Sequence, residues 1–201
     1  MRNFPVILIG GVPGVGKTSI SGYVARNLGI NLVFSGDYIR ETIRAFVDEK
    51  NILNKSVYDS WQAFGENNEE NLLKGFNAQG EMVNRATKKI LERAIDNGEP
   101  VIIETLYFIP EQLGDLIENI TSIYLYIEDE KLHIERLNER QNYTHFGSSG
   151  QRLSSNIKNY RVIMKKSLEY ARKWSIPVVN NKIYEETREQ ILEICRKDLN
   201  H

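Results

Sequence analysis

Three features of the sequence predict an α/β fold, with a five-stranded parallel sheet covered by helices on both faces. Short, unbroken apolar runs recur along the chain. Patterns of helical period separate them. The first run is joined to the first helix by GVPGVGKT at 11–18. Strands buried on both faces read as continuous Val/Ile/Leu runs, and strands alternating with helices build parallel sheets.

Val6–Ile9 is the first such run, and Gly10 to Gly16 makes a turn. A helix is predicted from Lys17 to about Asn27, closed by Gly29 as a left-handed cap. Asn31–Phe34 reads as the second strand, and a helix follows from about Asp37 to Asp48. Residues 49–77 are polar with scattered aromatics (Tyr58, Trp61, Phe64, Phe76) and read as short helices and loops. From Gly80 to Asn97, Val83, Ala86, Ile90 and Ala94 mark one helix face, and Gly98 stops it. Val101–Ile103 and Ile123–Ile127 are the third and fourth strands, followed by a helix over Asp129–Arg140. The stretch QNYTHFGSSGQR at 141–152 is polar and rich in Gly and Ser, as expected of a lid. A long helix from about Ser155 to Trp174, a fifth strand at Ile176–Val179 and a last helix at Glu185–Leu199 complete the chain. No repeat or linker divides it, so 1–201 reads as one domain with an acceptor-binding insertion at about 37–80.

The chain has 201 residues, enough to bury roughly 70% of its unfolded surface. Its 26 basic and 27 acidic residues nearly cancel. A general nucleic-acid binder would carry a basic excess, so neither nucleic acid nor an anionic membrane is an expected partner. The single cysteine, Cys195, cannot form an internal disulfide and sits among Ile191, Leu192 and Ile194, as a buried structural thiol would. With no signal-peptide pattern and no bilayer-length apolar run, the expected location is the cytoplasm.

Gly11, Gly16, Lys17 and Thr18 complete G-x-x-x-x-G-K-[ST] between a buried strand and a helix, the context that the phosphate-loop mechanism requires. Backbone N–H groups of Gly11, Val12, Pro13, Gly14, Val15, Gly16, Lys17, Thr18 and Ser19 (Pro13 excepted, having none) would wrap the phosphates of ATP. Lys17 would reach the β- and γ-phosphates, and Thr18 would offer its hydroxyl to Mg²⁺. A dinucleotide-binding G-x-G-x-x-G fails because Ser19 holds its third glycine position. Glu104 closes the third strand where a parallel sheet faces its ligand, and either supports Mg²⁺ or is an ordinary polar strand end.

Asp37 and Arg40 lie one helical turn apart after the second strand, with Arg44 a turn further. Asp37 could take the proton of an attacking hydroxyl while Arg40 grips an anionic group of the same acceptor; Asp37 could equally cap its helix. Tyr107 is a further candidate acceptor contact, with core packing the alternative. Arg136 and Arg140 lead into 141–152 and Arg152 closes it, so arginines could cover the transferring phosphate; Glu135 and Glu139 could instead balance them on an exposed helix. His133, His145 and His201 have no metal-ligand spacing. A guanine-reading N-K-x-D is broken at Tyr184, and the acidic strand ends Glu-Thr rather than Asp-Glu, so a small kinase fits better than a switch or motor.

FSGDYIR at 34–40 resembles the acceptor-binding turn of adenylate kinases, but their D-G-F-P-R is replaced here by ETLYFIP. The chain is more similar to the archaeal 2-phosphoglycerate kinase family. The shared residues are Asp37, Ile39 and Arg40; Gly75, Phe76 and Gln79; Glu92, Arg93, Ala94 and Gly98; Val101–Glu104 and Pro110; Tyr160 and Arg161; and Ile176, Pro177, Val178 and Asn180. The resemblance spans about 4–181. It implies a P-loop kinase that uses ATP and Mg²⁺ on a small phosphorylated hydroxy acid with a primary hydroxyl. The family's Gly-Val-His after the strand-three glutamate is Thr105-Leu106-Tyr107 here. That departure points to the similar mevalonate 3-phosphate 5-kinases, with the wall near 105–108 setting acceptor size. 2-Phosphoglycerate is the alternative acceptor, and a nucleotide-dependent switch the alternative class.

Overall fold

The computed structural model describes residues 4–140 and 150–199. Five parallel strands, β1 (Val6–Gly10), β2 (Leu32–Ser35), β3 (Val101–Thr105), β4 (Thr121–Tyr126) and β5 (Val178–Asn180), lie in the order β2-β3-β1-β4-β5. β1 and β3 are buried at every position, as their unbroken apolar runs require. Register pairs Gly10 with Thr105 and Ser35 with Glu104, so the carboxyl ends of β1, β2 and β3 are level.

Helix α1 (Lys17–Leu28) ends at left-handed Gly29, and α2 (Gly36–Arg44) stops four residues short of the expected Asp48. The chain then makes 3₁₀ turns at Ile52–Asn54 and Val57–Ala63. Helix α3 (Glu69–Asn97) starts eleven residues before the expected Gly80. Asn68 caps it by accepting from the Asn71 N–H, and Glu69 and Glu70 face its positive end. The connection from β3 to β4 holds a short α4 (Pro110–Leu113) and a 3₁₀ turn at Gly114–Asn119, which the sequence pattern did not announce. After β4 come α5 (Glu130–Glu139), capped by Asp129, then α6 (Gln151–Ser154), α7 (Ile157–Lys173) and, past β5, α8 (Tyr184–Leu199). Helices α1 and α8 pack together on one face of the sheet, α3 and α7 on the other. Edge strand β2 is covered least: Leu32, Val33 and Phe34 all stay exposed. Among the described residues, no helix is long and apolar enough to cross a membrane.

Candidate active site

The turn between β1 and α1 is braced from outside by three side chains, each donating to one of its carbonyls. Lys17 Nζ donates to Val12 O at 3.2 Å, His133 Nε2 lies 2.8 Å from Pro13 O, and Asn181 Nδ2 donates to Val15 O at 2.9 Å. A carbonyl partner requires the His133 proton on Nε2. With these carbonyls paired, the N–H groups of the turn other than that of Gly11 are left for an anion, beside the positive end of α1. Gly16 sits at φ +90°, and a Cβ there would lie 2.6 Å from Asn181 Nδ2, so only glycine fits. Val12 and Val15 are fully buried and offer backbone alone. The Gly11 N–H donates to Thr105 O, tying the turn to the end of β3.

Two cavities open here. One, of about 510 Å³, is lined by Pro13, Gly14, Gly16, Lys17, Thr18 and Ser19 of the turn, by Arg136, Glu139 and Arg140, and by Asn181, Tyr184 and Glu185. The other, of about 420 Å³, is lined by Thr18, Val33, Ser35, Asp37, Tyr38, Glu41, Glu104 and Arg140. Thr18 and Arg140 stand on both walls. Burial pushes the Lys17 ammonium below its ordinary value, an effect opposed by Glu104 and Asp37 and reinforced by Arg140. An anion in the first cavity would hold that proton in place.

Thr18 Oγ1 donates to both carboxylate oxygens of Glu104, at 2.9 and 3.0 Å, and Glu104 is 6% exposed. Glu104 lies within β3 rather than after it. One hydroxyl and one carboxylate side by side form a hard oxygen pair of the kind Mg²⁺ takes when phosphates and waters supply the rest. Among the described residues no cluster of three or more His, Cys, Asp or Glu could hold a metal. Mg²⁺ held chiefly by nucleotide phosphates needs no such cluster.

Ser35, not Asp37, caps α2, accepting from the Asp37 N–H at 3.3 Å. Asp37 is thereby free of the capping role, with its side chain on the second cavity's wall. Gly36 presses the helix start against β3. A Cβ there would lie 2.9 Å from Thr105 Oγ1 and 3.0 Å from Glu104 O.

Two expected acceptor contacts sit elsewhere. Arg40 is turned away from the cavity: its NH2 donates to the carbonyls of Leu53 and, at 2.6 Å, Lys55, and its NH1 pairs with Glu41. Gln79 Nε2 donates to the same Lys55 carbonyl and to that of Ile52, while its Oε1 accepts from the Tyr107 hydroxyl. Tyr107 is 2% exposed and stacked on Phe76. Thr105, Leu106 and Phe108 are buried as well, and none of residues 105–108 lines either cavity. Arg44 pairs with Glu41 and donates to Asn54. Arg136 donates to Lys182 O and lines the first cavity. Arg140 feels Asp37, Tyr160, Glu104 and Arg152, and Arg152 itself lines neither cavity. Of the expected lid, residues 141–149, with His145, lie outside the described residues, as does His201.

His133 and Asn181 are the supporting residues that sequence reasoning passed over. The only hint was Asn181 at a guanine-motif position where no such motif exists.

A phosphate turn at the head of a parallel sheet, opening on two adjoining cavities, defines a P-loop small-molecule kinase. A family model described as "AAA domain" matches residues 7–149. The chain is 42% identical over 196 residues to the mevalonate-3-phosphate 5-kinase of Thermoplasma acidophilum, covering 97% of both chains. It is 33% identical over 199 residues to the 2-phosphoglycerate kinase of Methanocaldococcus jannaschii, covering 96% of this chain but 64% of that one. The chain belongs to the archaeal family that joins these 2-phosphoglycerate and mevalonate-3-phosphate kinases. At family level its function is that of an ATP-dependent kinase acting on a small phosphorylated hydroxy acid. Two solved structures share the fold: shikimate kinase from Acinetobacter baumannii in complex with shikimate, and a gluconokinase from Sinorhizobium meliloti. The first has a TM-score of 0.59 at 15% identity, covering 98% of this chain and 96% of that one; the second has 0.54 at 18%, covering 100% and 96%.

Proposed function

We propose that this chain transfers the γ-phosphate of ATP to the primary hydroxyl of mevalonate 3-phosphate, forming mevalonate 3,5-bisphosphate in the cytoplasm. The observation that carries the transfer is the shared wall: Thr18 and Arg140 border both cavities, so a donor phosphate and an acceptor hydroxyl would meet between them. The choice of acceptor rests on 42% identity along nearly the whole of both chains.

In this reading the phosphates of ATP lie on the N–H groups of Val12 and of Gly14 to Ser19, and Lys17 holds the β- and γ-oxygens. Thr18 and Glu104 would offer protein-side oxygens to Mg²⁺, which would supply charge neutralisation at the phosphates when bound. Asp37 orients the acceptor hydroxyl and takes its proton as the oxygen bonds to the γ-phosphorus and the bond to ADP breaks. Arg140 faces the equatorial oxygens and the acceptor's anionic groups, taking the part expected of Arg40. Arg136 lines the donor cavity. Arg40 and Tyr107 act from behind, holding α2 and the 52–55 turn in place.

The test is an acceptor panel of mevalonate 3-phosphate, 2-phosphoglycerate and AMP, followed by ADP release and product mass. Acceptor-dependent ADP release with a bisphosphate product from mevalonate 3-phosphate is expected. Preference for 2-phosphoglycerate would shift the assignment to that acid. ATP hydrolysis indifferent to all three, but stimulated by a protein, would favour a switch.

A further inference from the structure

Eight residues line the second cavity, and among these described residues only Val33 and Tyr38 are largely hydrocarbon. Both are left uncovered by the fold, at 44% and 78% exposure. Val33 shares a face of β2 with Ser35, because alternate strand residues point the same way, and Ser35 caps the helix on which Asp37 and Tyr38 are neighbours. The two apolar side chains therefore share the cavity wall with the carboxylate assigned to the acceptor hydroxyl. Of the remaining lining residues, Thr18 and Arg140 also line the first cavity, and Glu104 is bonded to Thr18. The part of the wall built by β2 and α2 carries Ser35, Asp37 and Glu41, and Val33 and Tyr38 supply its hydrocarbon.

An acceptor whose every carbon bears a carboxylate, phosphate or hydroxyl oxygen has no bare alkyl group to place against Val33 and Tyr38. A hydroxy acid with a methyl branch and a methylene arm does. Residues 105–108 are not available for this selection, since none of them lines the cavity. We infer that Val33 and Tyr38 are the specificity determinants of the acceptor site, covering the carbon branch of a methyl-branched phosphorylated hydroxy acid and thereby selecting it over an unbranched one.

This rests on the kinase reading above, and the experiment separates the two. Steady-state kinetics with mevalonate 3-phosphate and with 2-phosphoglycerate are measured for the wild type, Val33→Thr, Tyr38→Ser and the double variant. Val33→Thr keeps shape while replacing a methyl by a hydroxyl, and both sites are exposed enough for folding to survive. Phe46→Ser is the control, since Phe46 is 85% exposed and absent from the cavity wall. Pocket methyl groups discriminate about 10- to 200-fold. The double variant should raise KM for the branched acid at least tenfold. KM for ATP should not move, and Phe46→Ser should match wild type. An unchanged KM for the branched acid in the double variant overturns the inference while leaving the kinase assignment standing. A wild type that prefers the unbranched acid overturns it as well. A wild type inactive on both acids removes the kinase reading and the inference with it.

Discussion

The Thr18 hydroxyl bridges both oxygens of Glu104, joining the first turn of α1 to strand β3 across 86 residues of sequence. Removing the negative charge while keeping shape should weaken metal use more than nucleotide fit. Glu104→Gln is expected to raise the Mg²⁺ concentration for half-maximal activity by about tenfold or more. A Mg²⁺ titration at fixed ATP measures this, and an unaltered titration would detach Glu104 from the metal.

Lys17 and Asp37 should separate donor from acceptor functions. Lys17→Ala is expected to lower kcat by roughly two to three orders of magnitude, as loss of a preorganised charge does. Asp37→Asn should lower kcat by about 10²–10⁴ while the ATP dissociation constant stays within about twofold. Near-normal turnover in Asp37→Asn would remove it as the base.

Arg40 is 16% exposed and ties α2 to the carbonyls of Leu53 and Lys55. Its loss should therefore appear as instability. Arg40→Ala is expected to cost about 2–3 kcal/mol, from charged hydrogen bonds lost and carbonyls stranded. For a chain of this size, thermal unfolding would fall by about 4–12 °C. A large rise in acceptor KM with unchanged melting would instead return Arg40 to direct anion binding.

His133 links stability to pH. Burial, above all, lowers its pKa from the ordinary 6.5; the Pro13 carbonyl opposes this, and Arg161, Lys17 and Arg136 add to it. Below 6.5 the unfolded chain takes up a proton that the folded chain refuses. The stability is thus complete above 6.5 and is lost as pH falls toward the lowered folded value. Gln at this position can still donate to Pro13 O without titrating. The melting temperature of His133→Gln should accordingly fall less than wild type's between about pH 7.5 and 5.5, as calorimetry would show.

Much of the architecture was legible because it is local. The apolar runs at Val6–Ile9, Val101–Ile103 and Ile123–Ile127 carry their own period, and the glycine turn carries its own spacing. The early start of α3 was hidden by Gly75 and Gly80, each costing about 1 kcal/mol of helix propensity, which packing onto the 3₁₀ turn at Val57–Ala63 overrides. The braces of the phosphate turn were invisible for another reason. Asn181 and His133 reach it from 166 and 120 residues away, and no periodicity encodes such a meeting. For Arg40, helix spacing shows which residues share a face but not which carbonyl lies within reach. For Tyr107, the sequence left core packing as the alternative, and its burial agrees with that alternative.

Gly36 has a consequence of its own. Its bare α-carbon lets the start of α2 rest directly on Thr105 and the Glu104 carbonyl. One added methyl would act as a shim, lifting the helix and with it the Asp37 carboxylate by some fraction of an ångström. Phosphoryl transfer depends steeply on in-line approach, so the gap between the two halves of the reaction is gauged by a missing atom. An engineer wishing to detune this enzyme without touching any reacting group would begin there.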